Sequence, residues 1–152
     1  LLDGAALPEA TGFLVPAVDP AAIKAATFSS LKWAWVAEAA GGATVVRASL
    51  GRAGETATLQ RDDAALTDLA LADLRRMVGP QGRAGDVLAT TVQRWGGGLP
   101  QYEVGHLDLV RTVRDDVAAV PGLEVCGAAY EGIGIAAVAA TGRAAAERIV
   151  AG

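Results

Sequence analysis

The stretch Tyr130-Glu131-Gly132-Ile133-Gly134-Ile135, which continues as AAVAATGRAAAERIVAG to residue 152, sets a glycine-rich turn directly before an alanine-rich run. Alanine is the strongest helix former, so the run reads as helix. Ile135, Val138, Gly142, Ala145 and Ile149 recur along it at spacings of 3, 4, 3 and 4, with Arg143 and Glu147 together on the outer side. The small residues of that stripe permit close packing against a sheet. A helix N-terminus presents N–H groups without intrahelical partners and a partial positive charge, and glycines there let an anionic or electron-rich ligand reach the backbone. Tight-turn geometry accounts for glycines at such a place equally well, so the pattern alone leaves both readings open.

Working outward, the segment LEVCGA (123–128) reads as a short buried strand, preceded by a Pro121-Gly122 break and a helix from His106 to Val120. Strand, glycine turn and helix is the order of a nucleotide-binding unit. Upstream of the turn GGGLPQY (96–102) the texture changes. Gly12 to Val18, Ile23 to Phe28, Ala43 to Leu50 and Asp86 to Trp95 read as strands, the first broken by Pro16. In the second, Ile23, Ala25 and Thr27 alternate against Lys24, Ala26 and Phe28. In the third, Thr44, Val46, Ala48 and Leu50 share one face. Between the third and fourth, Arg61-Asp62-Asp63 supplies capping carboxylates for an amphipathic helix carrying Leu66, Leu69, Ala70, Leu74 and Met77 up to Gly79-Pro80, followed by the loop QGRAG (81–85). The expected fold class is α+β: an antiparallel sheet with one helix, then a terminal strand-helix unit.

Composition narrows the function classes. The 152 residues are 52% hydrophobic with a mean hydropathy of +0.34, enough apolar side chain for a real core. The net charge of −4, without a Lys/Arg cluster, argues against a nucleic-acid partner. Cys126 is the single cysteine and His106 the single histidine, which excludes an intramolecular disulfide and a thiolate or imidazole zinc cage. A reducing, cytoplasmic setting follows. No apolar run reaches the ~18 residues of a membrane span, which leaves peripheral membrane contact and self-association open. Leu1-Leu2-Asp3-Gly4 lacks an initiator methionine, so the chain reads as cut: an engineered product, a processed product and a fragment of a longer polypeptide would each explain it.

The segments AATFSSLKW (25–33), RASLGR (47–52), RWGGGLPQYEVGH (94–106) and GAAYEGIGIAAVAATGRAAAERI (127–149) occur in an order and approximate spacing that resembles the C-terminal part of the FAD-dependent protoporphyrinogen/coproporphyrinogen oxidases of haem biosynthesis. The likeness runs from about Gly12 onward and is most specific at Pro100-Gln101-Tyr102, Gly105-His106 and Tyr130-Glu131-Gly132 with Gly134-Ile135. It departs at Ser30-Leu31-Lys32-Trp33, where bacterial relatives commonly read Ser-Asn-Lys-Trp, and in the closing helix, where a Pro and a Cys are frequent.

The resemblance implies an amine-oxidase-like flavoprotein in which residues 1–95 belong to the substrate domain, 96–120 connect, and 121–152 return to the FAD domain. It implies FAD as cofactor, with backbone amides of Ile133, Gly134 and Ile135 near N1 and O2 of the flavin, Gly127 clearing its approach and Trp95 beside the ring. Trp95 read by itself closes a strand just as well. The implied reaction is oxidation of a porphyrinogen to a porphyrin by hydride transfers to flavin N5, with oxygen regenerating the cofactor and yielding hydrogen peroxide. Coproporphyrinogen III is the substrate expected of relatives in high-GC Gram-positive groups, and the remainder of the parent polypeptide is a required partner. No side chain of this segment is expected to be catalytic. Cys126 is read as a small buried hydrophobe, His106 as a capping or surface group, and Arg47 and Arg52 as outward-facing and solvated, with contact to substrate propionates as the alternative. Another amine-oxidase-like enzyme, such as a carotenoid desaturase, and a noncatalytic module binding a tetrapyrrole or partner chain are the competing readings.

Overall fold

The computed structural model describes residues 1–78 and 82–151, which divide into two units, Leu1–Gln93 and Arg94–Gly152. In chain order the first unit contains β1 (Leu2–Asp3), β2 (Gly12–Leu14), β3 (Ile23–Phe28), α1 (Ser29–Lys32), α2 (Ala34–Ala39), β4 (Val46–Leu50), α3 (Thr56–Leu59), α4 (Asp63–Met77) and β5 (Asp86–Val87). The second contains α5 (His106–Ala118), α6 (Ala128–Glu131) and α7 (Ile135–Ala151). The mixture is α+β, as the sequence implies. None of the helices is long and apolar enough to cross a membrane, among the described residues.

In the first unit β3 is the centre of a three-stranded antiparallel sheet in the order β2-β3-β4, with Phe13 opposite Ala26 and Ala26 opposite Ala48. Its buried residues are Ile23, Ala26 and Phe28, rather than a strictly alternating set. The cause is a register shift between Ile23 and Ala25: one extra residue reverses the inside–outside parity, so Ile23 joins the buried side. Phe28 meets Phe13 edge-on, with centroids 5.9 Å apart.

α4 covers this sheet and serves both of its apolar clusters. Leu74 and Val78, with partly buried Leu71, pack with Leu2, Ala26, Phe28 and Ala84; Ala70 and Met77 pack against Val15, Ala21 and Ile23. The helix begins where its carboxylates predict, since Asp62 is the N-cap and its Oδ1 accepts the Ala65 N–H at 2.8 Å. The stop expected at Gly79-Pro80, and Gln81 of the next loop, lie outside the described residues.

Two polar clips complete the sheet's edge. Asp73 turns inward from α4 and accepts the N–H groups of Ala22 at 2.7 Å and Ile23 at 3.1 Å, fixing the start of β3 against the helix. Arg76 bonds Asp19 at 3.0 Å, which raises its pKa further, and Asp19 accepts the Ala21 N–H. Arg52 is not solvated: its guanidinium donates to the carbonyls of Ala21 and Val15 at 3.3 Å and Ile23 at 3.5 Å, with only 16% of its side chain exposed. These carbonyls cluster at the margin of β2 and β3 and draw the cation in. Arg47 does remain exposed.

Four expected strands are shorter or absent: Gly12 to Val18 is a strand only over β2, whose continuation is broken at Pro16, and Ala43 to Leu50 only over β4. The run Asp86 to Trp95 is a strand only over β5, because β1, its ladder partner, is itself two residues long. In the second unit Leu123–Cys126 is not a strand and Ala128 already begins α6, since no strand of that unit is available to pair with it among the described residues.

Asp73→Ala removes the acceptor of two partly buried N–H groups and is expected to destabilise the first unit by about 2 kcal/mol, whereas Asp73→Asn keeps one acceptor oxygen and costs less. Urea unfolding of the three proteins checks this, and equal midpoints for wild type and Asp73→Ala would show that the clip contributes nothing.

Candidate functional site

The second unit is organised around the path from Gly127 to Ile135. Gly127 takes φ 116° and ψ −174°, and Gly132 takes φ 122° and ψ 153°, regions closed to side-chain-bearing residues. Between these two bends lies the single turn of α6, and after the second the chain enters α7. Gly134 precedes α7, and its carbonyl accepts the Val138 N–H at 2.9 Å. Unlike the other two it has no left-handed φ, and among the described residues no atom outside its immediate neighbours lies within 4 Å of where its Cβ would be. Nothing within the chain therefore requires glycine at 134. The helix also begins without a Ser, Thr, Asp or Asn that could occupy its first N–H groups. Ile133 and Ile135 flank this opening and are exposed, Ile135 at 90%.

Neighbouring segments hold the path in place. The Gly127 N–H is bonded to Thr141 Oγ1 at 3.0 Å, and that hydroxyl donates to the Val138 carbonyl at 2.8 Å. Thr141 and Ala145 are thus the buried positions of α7, with Val138 half-buried. Of the expected stripe, Ala145 is buried and Val138 and Gly142 half-buried, whereas Ile135 and Ile149 lie exposed, and Thr141 takes the second buried place with its hydroxyl held by the Gly127 N–H. Glu124 and Arg148 pair at 2.9 Å, which lowers the Glu124 carboxyl below its ordinary value and raises the guanidinium.

From the other side, α5 and the turn before it reach α6. Gly105 adopts φ 87°, a left-handed bend that lays the Tyr102 ring flat on His106, with centroids 4.1 Å apart and planes 11° from parallel. The Tyr102 hydroxyl donates to the Ala128 carbonyl and accepts the Gly132 N–H at 3.0 Å. His106 Nε2 lies 2.8 Å from the Ala129 carbonyl; since a carbonyl only accepts, that nitrogen carries the proton. Arg114 of α5 pairs with Glu131.

The structure thus brings Gly127, Ile133, Gly134 and Ile135 together on one short path. Trp95 stands apart from them: it is 78% exposed, its carbonyl accepts the Gly98 N–H at 3.2 Å, and it has no aromatic contact with the others among the described residues. Cys126 is exposed rather than buried, because the extended segment carrying it is covered by no sheet of this unit. Sequence reasoning quoted Tyr102 only as part of a motif and gave Thr141 and Arg114 no role. The signals were present: Tyr102 and His106 stand four residues apart across a glycine, and Thr141 interrupts an otherwise alanine-rich helix.

Against this geometry, the sequence model of the flavin-containing amine oxidoreductases matches residues 6–150. The chain belongs to that family. It is 34% identical over 128 residues to the coproporphyrinogen III oxidase of Bacillus subtilis (strain 168), covering 84% of this chain and 26% of that protein. It is 37% identical over 142 residues to the coproporphyrinogen III oxidase of Mycobacterium tuberculosis (strain ATCC 25618 / H37Rv), covering 93% and 29%. A crystal structure of a protein from Exiguobacterium sp. 255-15, provisionally named a protoporphyrinogen oxidase, superposes with a TM-score of 0.80 at 34% identity, covering 93% of this chain and 30% of that one. The chain therefore spans between a quarter and a third of the length of the relatives it matches. In a flavin-containing family, helix-terminal N–H groups flanked by apolar side chains suit the electron-rich edge of a flavin, and the open backbone at Gly134 fits its approach.

The Glu124–Arg148 pair gives a pH dependence. Its depressed carboxyl pKa means the contribution is fully present above the ordinary value of 4.5 and is lost as pH falls through the lowered one. Wild type is expected to lose more stability than Glu124→Gln between neutral pH and pH ~3, and parallel losses in thermal melts would argue against the pair.

Proposed function

We propose that this chain is the later portion of an oxygen-dependent, FAD-containing porphyrinogen oxidase of haem biosynthesis acting in the cytoplasm. The observation that carries the proposal is the start of α7: a helix N-terminus without a Ser, Thr, Asp or Asn before it, reached through a glycine whose absent Cβ meets nothing among the described residues, in a family that contains flavin. In this reading the amides of Ile133, Gly134 and Ile135 face the pyrimidine edge of FAD, where they favour the negative charge of the reduced cofactor, and Gly127 clears its approach. Trp95, already solvent-facing, stands beside the ring. Residues 1–95 belong to the substrate domain, 96–120 connect, and 121–152 complete the FAD domain. The unpaired segment Leu123–Cys126 then joins a sheet supplied by the rest of the polypeptide, and the exposed apolar side chains of α5 and α7, among them Leu107, Leu109 and Val150, are covered by it.

Coproporphyrinogen III is the proposed substrate, supported by the names of the Bacillus and Mycobacterium relatives; the structural neighbour's name supports protoporphyrinogen as the alternative. When bound, FAD supplies the hydride acceptor and the route of electrons to oxygen. The chain's own residues position: the α7 amides hold the cofactor edge, and Ile133 and Ile135 present apolar surface that excludes water beside it. No acid or base is drawn from this chain, which accords with chemistry carried by the cofactor.

Anaerobic mixing of the full-length oxidase with coproporphyrinogen III is expected to bleach the flavin, and readmitted air to yield fluorescent coproporphyrin. Bleaching by a simple amine with none by either porphyrinogen would overturn the assignment. In the same protein, Gly134→Val is expected to weaken FAD binding at least about tenfold while Ala140→Val, at an exposed position of the same helix, leaves it unchanged. Equal affinities in a fluorescence titration would show that no ligand approaches the backbone at 134.

A further inference from the structure

Gly132 and Gly134 supply an open backbone, yet a glycine-rich turn has no side chains with which to hold itself still. Every residue of α6 except Tyr130, and Gly132 after it, is instead bonded by a side chain from residues 102–114. Tyr102 joins the Ala128 carbonyl to the Gly132 N–H. His106 holds the Ala129 carbonyl, and Arg114 holds the Glu131 carboxylate. The contacts are spaced along one helical turn and converge on the bend immediately before Gly134.

Their donor and acceptor roles are complementary. At a helix end the carbonyls of α6 lack intrahelical partners, and the Gly132 N–H, rotated away by the φ of 122°, also lacks one. A phenol hydroxyl both donates and accepts, so one group satisfies a carbonyl at the start of α6 and an N–H at its end. Phenylalanine keeps the ring and its stack on His106 but loses both bonds.

We propose that Tyr102, His106 and Arg114 are positioning residues that set the direction in which the Gly132–Gly134 turn presents its amides, and through it the binding and electronic state of the flavin. Tyr102 and His106 act on the backbone of the turn and Arg114 on the Glu131 side chain, none of them by touching the cofactor. The proposal rests on the flavin reading of α7 given above.

The test uses the full-length oxidase as isolated with its flavin. Tyr102→Phe, His106→Leu and His106→Gln are compared with Arg111→Gln, which breaks only an exposed pair with Asp108 on α5. Hydrogen–deuterium exchange followed by mass spectrometry reads the segment 128–134; FAD affinity and the visible absorption bands of the flavin read the cofactor. Tyr102→Phe is expected to speed exchange of the Gly132 amide about tenfold, weaken FAD binding by a similar factor and shift the flavin bands. His106→Leu, which leaves the Ala129 carbonyl without its donor, should speed amide exchange across the segment 128–134 and likewise weaken FAD binding, and be restored in part by His106→Gln, whose amide can donate from nearly the same place; Arg111→Gln should match wild type. If Tyr102→Phe does not fold, the two His106 variants decide. Unchanged exchange with weakened FAD binding overturns the proposal in favour of direct contact with cofactor, and unchanged flavin bands and affinity despite faster exchange overturn it in favour of a structural tie only. Wild-type protein that carries no flavin overturns the reading of α7 itself, whatever the variants do.

Discussion

Two backbone conformations that only glycine tolerates, at Gly127 and Gly132, govern the second unit. With φ of 116° and 122°, they bend the chain on either side of a four-residue helix. An L-residue at either would carry strain on the order of 1–3 kcal/mol, independent of any contact, because both positions have room for a Cβ. What the bends achieve is direction: they turn the chain out of the extended Leu123–Cys126 segment and aim it into α7 so that the helix starts at an uncapped end. Gly134 differs, since its glycine identity answers to neither φ nor internal crowding. The three glycines therefore divide between shaping the turn and leaving one stretch of backbone bare.

The first unit is held by a different principle. Its sheet has a dry side, with Ile23 and Phe28 essentially without solvent contact, and α4 covers that side through aliphatic packing. Asp73 and Arg52 then supply acceptors and donors where the ladder runs out, one to N–H groups and one to carbonyls at the margin of β3. Apolar burial selects the layers and the two charged side chains fix where β3 begins.

Much of this was legible from residue patterns, and the failures share a cause. β3 spans the same residues, Ile23 to Phe28, that its alternation marks, and Asp62 is recognisable as a cap, because period-two alternation and capping carboxylates are local signals. The register shift at Ile23/Ala25 is not local: it depends on what β4 offers, and it put Ile23 on the same buried side as Ala26 and Phe28. The segments 88–95 and 123–126 alternate or run apolar convincingly, but a strand exists only where another strand pairs with it. Arg52 was misjudged for the same reason, since the carbonyls that hold it come from residues 29 to 37 positions earlier. For the site, the glycine path was visible because glycine is conspicuous. Its supports, Tyr102, Arg114 and Thr141, were not, because a tyrosine before a helix or a threonine within one has many commoner uses.

The division of labour around α6 follows from the chemistry of bare backbone. A turn intended to meet an aromatic cofactor edge must be free of side chains, and the freedom that glycine brings is also conformational freedom lost on ordering. That loss must be offset by contacts from elsewhere in the chain. Tyr102, His106 and Arg114 lie on α5 and the bend before it, so the ordering groups approach α6 from outside and leave the N-terminus of α7 uncovered. Thr141 performs the matching task from within α7, holding the Gly127 N–H at the far end of the path. A side-chain cap at position 134 would also have steadied the helix, but it would have filled the first-turn amides that the open geometry leaves bare. Anchoring α6 through a neighbouring segment reconciles a rigid turn with an exposed one, which explains how the PQYEVGH stretch (100–106) and the YEGIGI stretch (130–135), far apart in sequence, form one site.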